Sequence, residues 1–151
     1  MASEEEVWGG FLSELQAFLD LPANSAIECA WPNVAYTPTT GTAYVEPFLF
    51  IDPVQRAGIG SPGVRRSRGR FQINIHHALN IGPLPISQIA GRLMTYFEPS
   101  TKSPIVEGST TVRIGDPYGQ NSLPWTREPV TDDPWQTKPV IVPWWVDYLP
   151  S

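Results

Sequence analysis

His76 and His77 are the only imidazoles of the chain, so neutral-pH acid–base chemistry would pass through them or through carboxylates scattered along the sequence. Adjacent residues on a strand point to opposite faces, so this pair cannot close on one metal ion. No cluster of cysteines, histidines or carboxylates surrounds them in sequence, which predicts one histidine partly buried and one exposed. Cys29 is the lone cysteine; it excludes an intramolecular disulfide and any Cys-x-x-Cys redox or zinc pair. Neither a G-x-S-x-G elbow nor an activated-cysteine signature is present. The expectation is no catalytic residue, no metal and no cofactor, with a small hydrolase using His76 or His77 as the enzymatic alternative.

Gly58-Ile59-Gly60-Ser61-Pro62-Gly63 matches the string G-x-G-x-x-G. A dinucleotide site requires a helix N-terminus directly after the glycines to receive the pyrophosphate, whereas here Pro62 and residues 64–69 lead into an alternating strand. The segment is expected to be a hairpin tip. It carries Arg56, Arg65, Arg66, Arg68 and Arg70 with no acidic residue among them, so the net charge of −5 divides into +5 for residues 56–70 and −10 for the remainder. A solvated loop, a phosphate-binding finger and a contact with an acidic protein surface all fit such a cluster. Stacking aromatics and a base-reading helix are missing from the loop. Subunit or partner contact therefore ranks first and backbone phosphate second. Trp144 and Trp145 face opposite ways on a strand, so at least one lies outside the core of a one-sided sheet; exposed tryptophan is enriched at interfaces and sugar platforms, and Trp125 and Trp135 of the 115–138 connection join the pair as contact candidates. A carbohydrate-binding module is the binding-class alternative.

The elements that would position these residues are readable from periodicity. Ser3 and Glu6 have capping-box spacing. Val7, Phe11, Leu15, Phe18 and Leu19 then form a helical stripe that stops at Pro22. Ile86, Ile89, Ala90, Leu93, Met94 and Phe97 make a second helix, ended by Pro99. Strands are expected at Ala26–Trp31, at Tyr44–Ile51 with apolar residues on both parities, at Arg70–Ile75 in strict alternation, at Thr110–Ile114 and at Val140–Tyr148. Pro139 and Pro143 share parity, so both missing donors fall on one side of the last strand, which is read as an edge strand. The Pro- and Trp-rich connection 115–138 is longer than a compact domain usually carries and is read as a contact arm.

Seventeen prolines in 151 residues argue against a helical bundle. The expected fold is one α+β domain over 1–151: a mixed or antiparallel sheet with two amphipathic helices on one face, a long hairpin loop and an extended C-terminal arm. Its core spans about 3–114 plus 139–149. The acidic start Met1–Glu6 differs from a secretory signal, and no apolar run approaches the ~20 residues of a membrane span. A soluble protein without membrane contact, made in a reducing cytosol, is expected. Net acidity also argues against general adhesion to nucleic acid.

Ala30-Trp31-Pro32-Asn33, Tyr36-Thr37-Pro38, Gly41 and Tyr44-Val45, then the Gly-rich loop and Arg68-Gly69-Arg70-Phe71-Gln72-Ile73, together resemble the tail terminator, or tail completion, proteins of long-tailed bacteriophages. The resemblance covers about residues 7–114 in order; after Ile114 the chain departs from it. It implies a structural virion protein at the neck, assembled in the host cytoplasm: a homohexameric ring on the head-proximal end of the tail tube. Such a ring ends tube polymerisation and presents the head–tail joining surface. Its partners would be the tail tube protein and the head–tail connector, with genomic DNA passing through unread. The strand through Phe71 and the loop before it would lie at ring or tube contacts. A head completion or connector protein is the neighbouring alternative.

Overall fold

A computed structural model describes residues 4–58, 63–118 and 123–148. The first apolar stripe becomes α1 (Glu4–Leu19), which buries Val7, Phe11, Leu15 and Phe18. Three glutamates in its first turn suit the positive end of the helix dipole. Ser3 of the expected capping box lies outside the described residues. Glu6 ties the helix start to a distant turn: its carboxylate accepts from the Ser109 N–H at 2.7 Å and the Ser109 hydroxyl at 3.2 Å. Gly108 beside it has φ 58°, and a Cβ there would strike the Glu6 carboxylate. After Pro22 a 3-10 turn follows, closed by the buried Asn24 side chain donating to the Phe18 carbonyl at 2.8 Å.

β1 (Glu28–Cys29) runs parallel to β2 (Tyr44–Ile51), which pairs antiparallel with β4 (Arg65–Ala78). β3 (Gln55–Arg56) prolongs that hairpin, with Arg56 opposite Arg65. The tip residues 59–62 lie outside the described residues. Then come α2 (Leu84–Tyr96), the single turn α3 (Pro99–Lys102), β5 (Ile105–Glu107), β6 (Thr110–Ile114), β7 (Trp125–Thr126), β8 (Val130–Asp132) and β9 (Trp135–Tyr148). The sheet order is β1-β2-β4-β9-β6-β5, with β3 added to β4 and both β7 and β8 added to β9. This is the expected α+β arrangement, a mixed and mostly antiparallel sheet.

Register decides which face is core. Phe71 sits opposite Leu49 and Val142, and Ile73 opposite Pro47 and Val140, so odd positions of β2 and β4 and even positions of β9 share one face. Both helices lie there. Phe11 stacks on Phe71 at 4.6 Å and tilts against Phe97 and Trp144, while α2 buries Ile86, Ile89, Ala90 and Leu93. Each such phenylalanine, isoleucine or leucine side chain, fully buried, contributes about 1.5–3 kcal/mol. Among the described residues no helix lies on the opposite face.

Three strands differ from the sequence reading. Ala26–Trp31 yields only the two residues of β1, because Pro32 and the turn after it carry the chain away from β2. β4 is 14 residues long, extending the alternating core through the whole basic stretch 65–69. The last strand begins at Trp135 and is central rather than an edge, since β4 pairs along one side and β6, β7 and β8 cover the other. The shared parity of the prolines still matters. The Pro143 carbonyl accepts from Gly115 N at 2.9 Å and the Pro139 carbonyl from Thr126 Oγ1 at 2.6 Å, so the two missing donors face the side of the short strands. A continuous ladder is impossible on that side. Short pieces from the 115–138 segment, donating to the proline carbonyls, take its place.

Candidate partner interface

Even positions of β4 point to the face without helices, and Arg66, Arg68 and Arg70 occupy three in succession. Arg66 meets Asp147 in a two-pronged contact, Nε to Oδ1 and Nη2 to Oδ2 each at 2.7 Å. Its guanidinium also lies over the rings of Trp145 at 4.9 Å and Tyr118 at 5.6 Å. Planarity lets arginine use both kinds of contact at once. Arg68 lies over Tyr118 at 5.1 Å, and its Nε is 3.8 Å from Asp52 Oδ2, near enough for ion attraction and too far for a hydrogen bond. That buried Nε has no hydrogen-bond partner among the described residues. Arg70 is exposed over Phe50 at 4.4 Å. Beside it a cleft of about 190 Å³ is lined by Arg68, Arg70, Asp52, Trp125 and Pro143.

The other sequence candidates separate. Arg65, at an odd position, projects from the other side of the strand and donates to the Gly63 carbonyl at 3.4 Å; Arg56 is exposed opposite it on β3. Trp145 joins the arginine row, whereas its neighbour Trp144 is 1% exposed within the core. Trp125 is exposed under Arg127, 4.9 Å from the guanidinium. Trp135 stands at the far end of β9, roughly 33 Å from Trp145 at ~3.3 Å per residue. The four tryptophans therefore do not form one platform.

At that far end several rings gather on the same outer face. Tyr44 stacks on His76 at 4.4 Å, meets Trp135 edge-on at 5.5 Å and lies 4.9 Å from Tyr36. The Thr137 hydroxyl and His76 Nδ1 are 2.9 Å apart, and His76 Nε2 is 3.3 Å from Glu46 Oε1. A neutral ring protonated on Nε2 satisfies both contacts. Burial, partly opposed by Glu46 and Asp132, holds its pKa below the ordinary histidine value. His77 also sits below that value because of burial, and its Nδ1 accepts from the Ala78 N–H at 2.9 Å. Among the described residues no group of three histidines, cysteines or carboxylates is placed to hold a metal. No described helix is long and apolar enough to cross a membrane.

Sequence reasoning missed Asp147, Tyr118, Asp52, Phe50 and Arg113 as members of the basic end. Asp147 had a signal, because it shares parity with Trp145 on the strand. The others come from distant segments brought together only by the ladder order.

Six chains of solved structures match this one, and one of them is 22% identical over 100% of both chains with a TM-score of 0.73. At that identity the likeness concerns the fold. No curated protein matches. A family model described as phage tail terminator protein matches residues 11–144, which runs from the α1 stripe to the buried tryptophan of β9. The chain belongs to the phage tail terminator family and is a structural protein of the phage tail.

Proposed function

We propose that this protein caps the head-proximal end of the tail tube as a homohexameric ring, ends tube polymerisation there and offers the head–tail connector its docking surface. The observation that carries the contact side of this reading is the outer sheet face: Arg66, Arg68 and Arg70 in a row, backed by Trp145, with Arg70 exposed. A growing tube exposes an end that accepts another tube subunit. A ring that binds this end and presents a different surface above it stops growth. Apolar surface left on each subunit makes ring closure and subunit stability mutually reinforcing. The protein acts without catalysis, at the neck of the virion, and DNA crosses the ring unread, consistent with a net charge of −5.

Electron cryomicroscopy of purified virions tests the location. Density for this subunit between tube and connector is expected; density at the tube tip or baseplate would contradict the proposal. Reversing charge at the exposed Arg70 is expected to impair assembly while the isolated subunit stays folded.

A further inference from the structure

The outer sheet face is oppositely charged at its two ends. At one end Arg70 and Arg113 are exposed and have no carboxylate partner among the described residues. Arg70 lies over Phe50 at 4.4 Å and Arg113 over Trp145 at 5.9 Å. Arg113 stands directly opposite Trp145 in the ladder and Arg70 opposite Pro143 two residues before it, so both arginines stand on this end of the outer face, on the two strands that flank β9.

At the other end the cluster of Tyr36, Tyr44, His76 and Trp135 is ringed by carboxylates. Asp132 pairs with Trp135 across the β8–β9 ladder and acts through space on both Tyr44 and His76. Glu46 holds His76, and Glu28 stands beside Tyr44 in the parallel β1–β2 ladder. Neither arginine nor lysine forms an ion pair with these three carboxylates among the described residues. Ring faces with carboxylates beside them are what the chain itself uses to hold Arg66. The same combination, with no arginine in it, stands at the far end.

We propose that the acidic, aromatic end of this face, formed by Tyr44, Trp135, Glu28, Glu46 and Asp132, receives the exposed Arg70 and Arg113 of a second copy of this chain. Each copy then engages one neighbour through its basic end and another through its acidic end. Unlike patches meeting in this way are what close subunits into a ring. The planar guanidinium groups gain stacking and paired hydrogen bonds together. The contact rests on the ring reading above and names the partner of that face.

A charge swap tests it in a phage lacking the gene, supplied with the full chain from a plasmid. One variant carries Arg70→Glu and Arg113→Glu; the other carries Glu28→Arg and Asp132→Arg. Alone, each sets like charges against each other at every contact, and plaque titre is expected to fall about 100-fold or more. Expressed together, they restore opposite charges at every contact of an alternating ring, and the titre is expected to recover to within about tenfold of the parent. Recovery also shows that both variants fold. Parental titre from either variant alone, or a mixture no better than its parts, would overturn the contact. Purified variants are checked by thermal melting, and if one is unfolded the single exchanges Arg113→Glu and Asp132→Arg at exposed positions carry the same swap. A mixture that assembles only to two copies by native mass would overturn the head-to-tail form. Failure of the ring reading is seen separately, as normal tail length when the gene is absent.

Discussion

Trp144 and Trp145 are neighbours of the same type, so replacing each by alanine isolates the effect of the face. Trp144 is 1% exposed, 6.4 Å from Phe11 and directly opposite Gly69, which has no side chain to move into a vacated space. Truncating a buried aromatic costs about 3–5 kcal/mol, and a site that cannot collapse belongs in the upper part of that range, about 4–5 kcal/mol. Trp145 instead supports Arg66 at 4.9 Å and Arg113 at 5.9 Å on a partly exposed face. Two such contacts are worth about 0.5–1 kcal/mol each, so Trp145→Ala should cost about 1–2 kcal/mol. Urea titration followed by far-ultraviolet circular dichroism reads the difference. With a slope of about 2 kcal/mol per molar, the midpoint should fall by about 2 M for Trp144→Ala and by less than about 1 M for Trp145→Ala. Equal shifts, or a larger one for Trp145→Ala, would refute the assignment of faces.

A Cβ at Gly69 would collide with the Phe50 carbonyl oxygen. Gly69→Ala should therefore cost about 2–3 kcal/mol and lower the melting temperature by roughly 4–12 °C; an unchanged melt would contradict the Ile51–Gly69 register. Burial holds His76 and His77 below the ordinary imidazole value, so the unfolded chain takes up protons first as pH falls. The histidine contribution is complete above about pH 6.5 and is lost as the pH drops through the lowered folded values, so urea midpoints should decline less steeply in His77→Gln than in the parent. A slope equal to the parent's would contradict this. Burial, with Glu46 adding to it, pushes the Cys29 thiol up to about 12. At neutral pH iodoacetamide should label Cys29 about a thousandfold more slowly in the folded chain than in urea, and equal rates would contradict that environment.

What the sequence made legible was the part governed by apolar periodicity. The α1 stripe, the α2 stripe and the alternating run 70–75 within β4 fall where steps of three, four and two place them, and β2 and β6 keep their expected spans. The basic half of β4 was not legible as strand, because its outer residues are covered by rings from β9, β2 and the 115–118 segment rather than by apolar alternation. β9 was misread as an edge for a related reason. Proline parity shows which side lacks donors, but not that Gly115 and Thr126 donate to the proline carbonyls from a distant segment. Of the basic end, the arginines and Trp145 were visible. Its supporting partners and the whole acidic end depend on ladder order, which joins Tyr44, His76 and Trp135 from three separated stretches.

The central claim is termination, and the tail-length distribution of a phage lacking this gene tests it most directly. Negative-stain microscopy of the lysate should show tubes longer than the parent's and not joined to heads. Tails of parental length would contradict the account: left unattached, they would point to a connector role, and joined normally to heads, they would remove both roles.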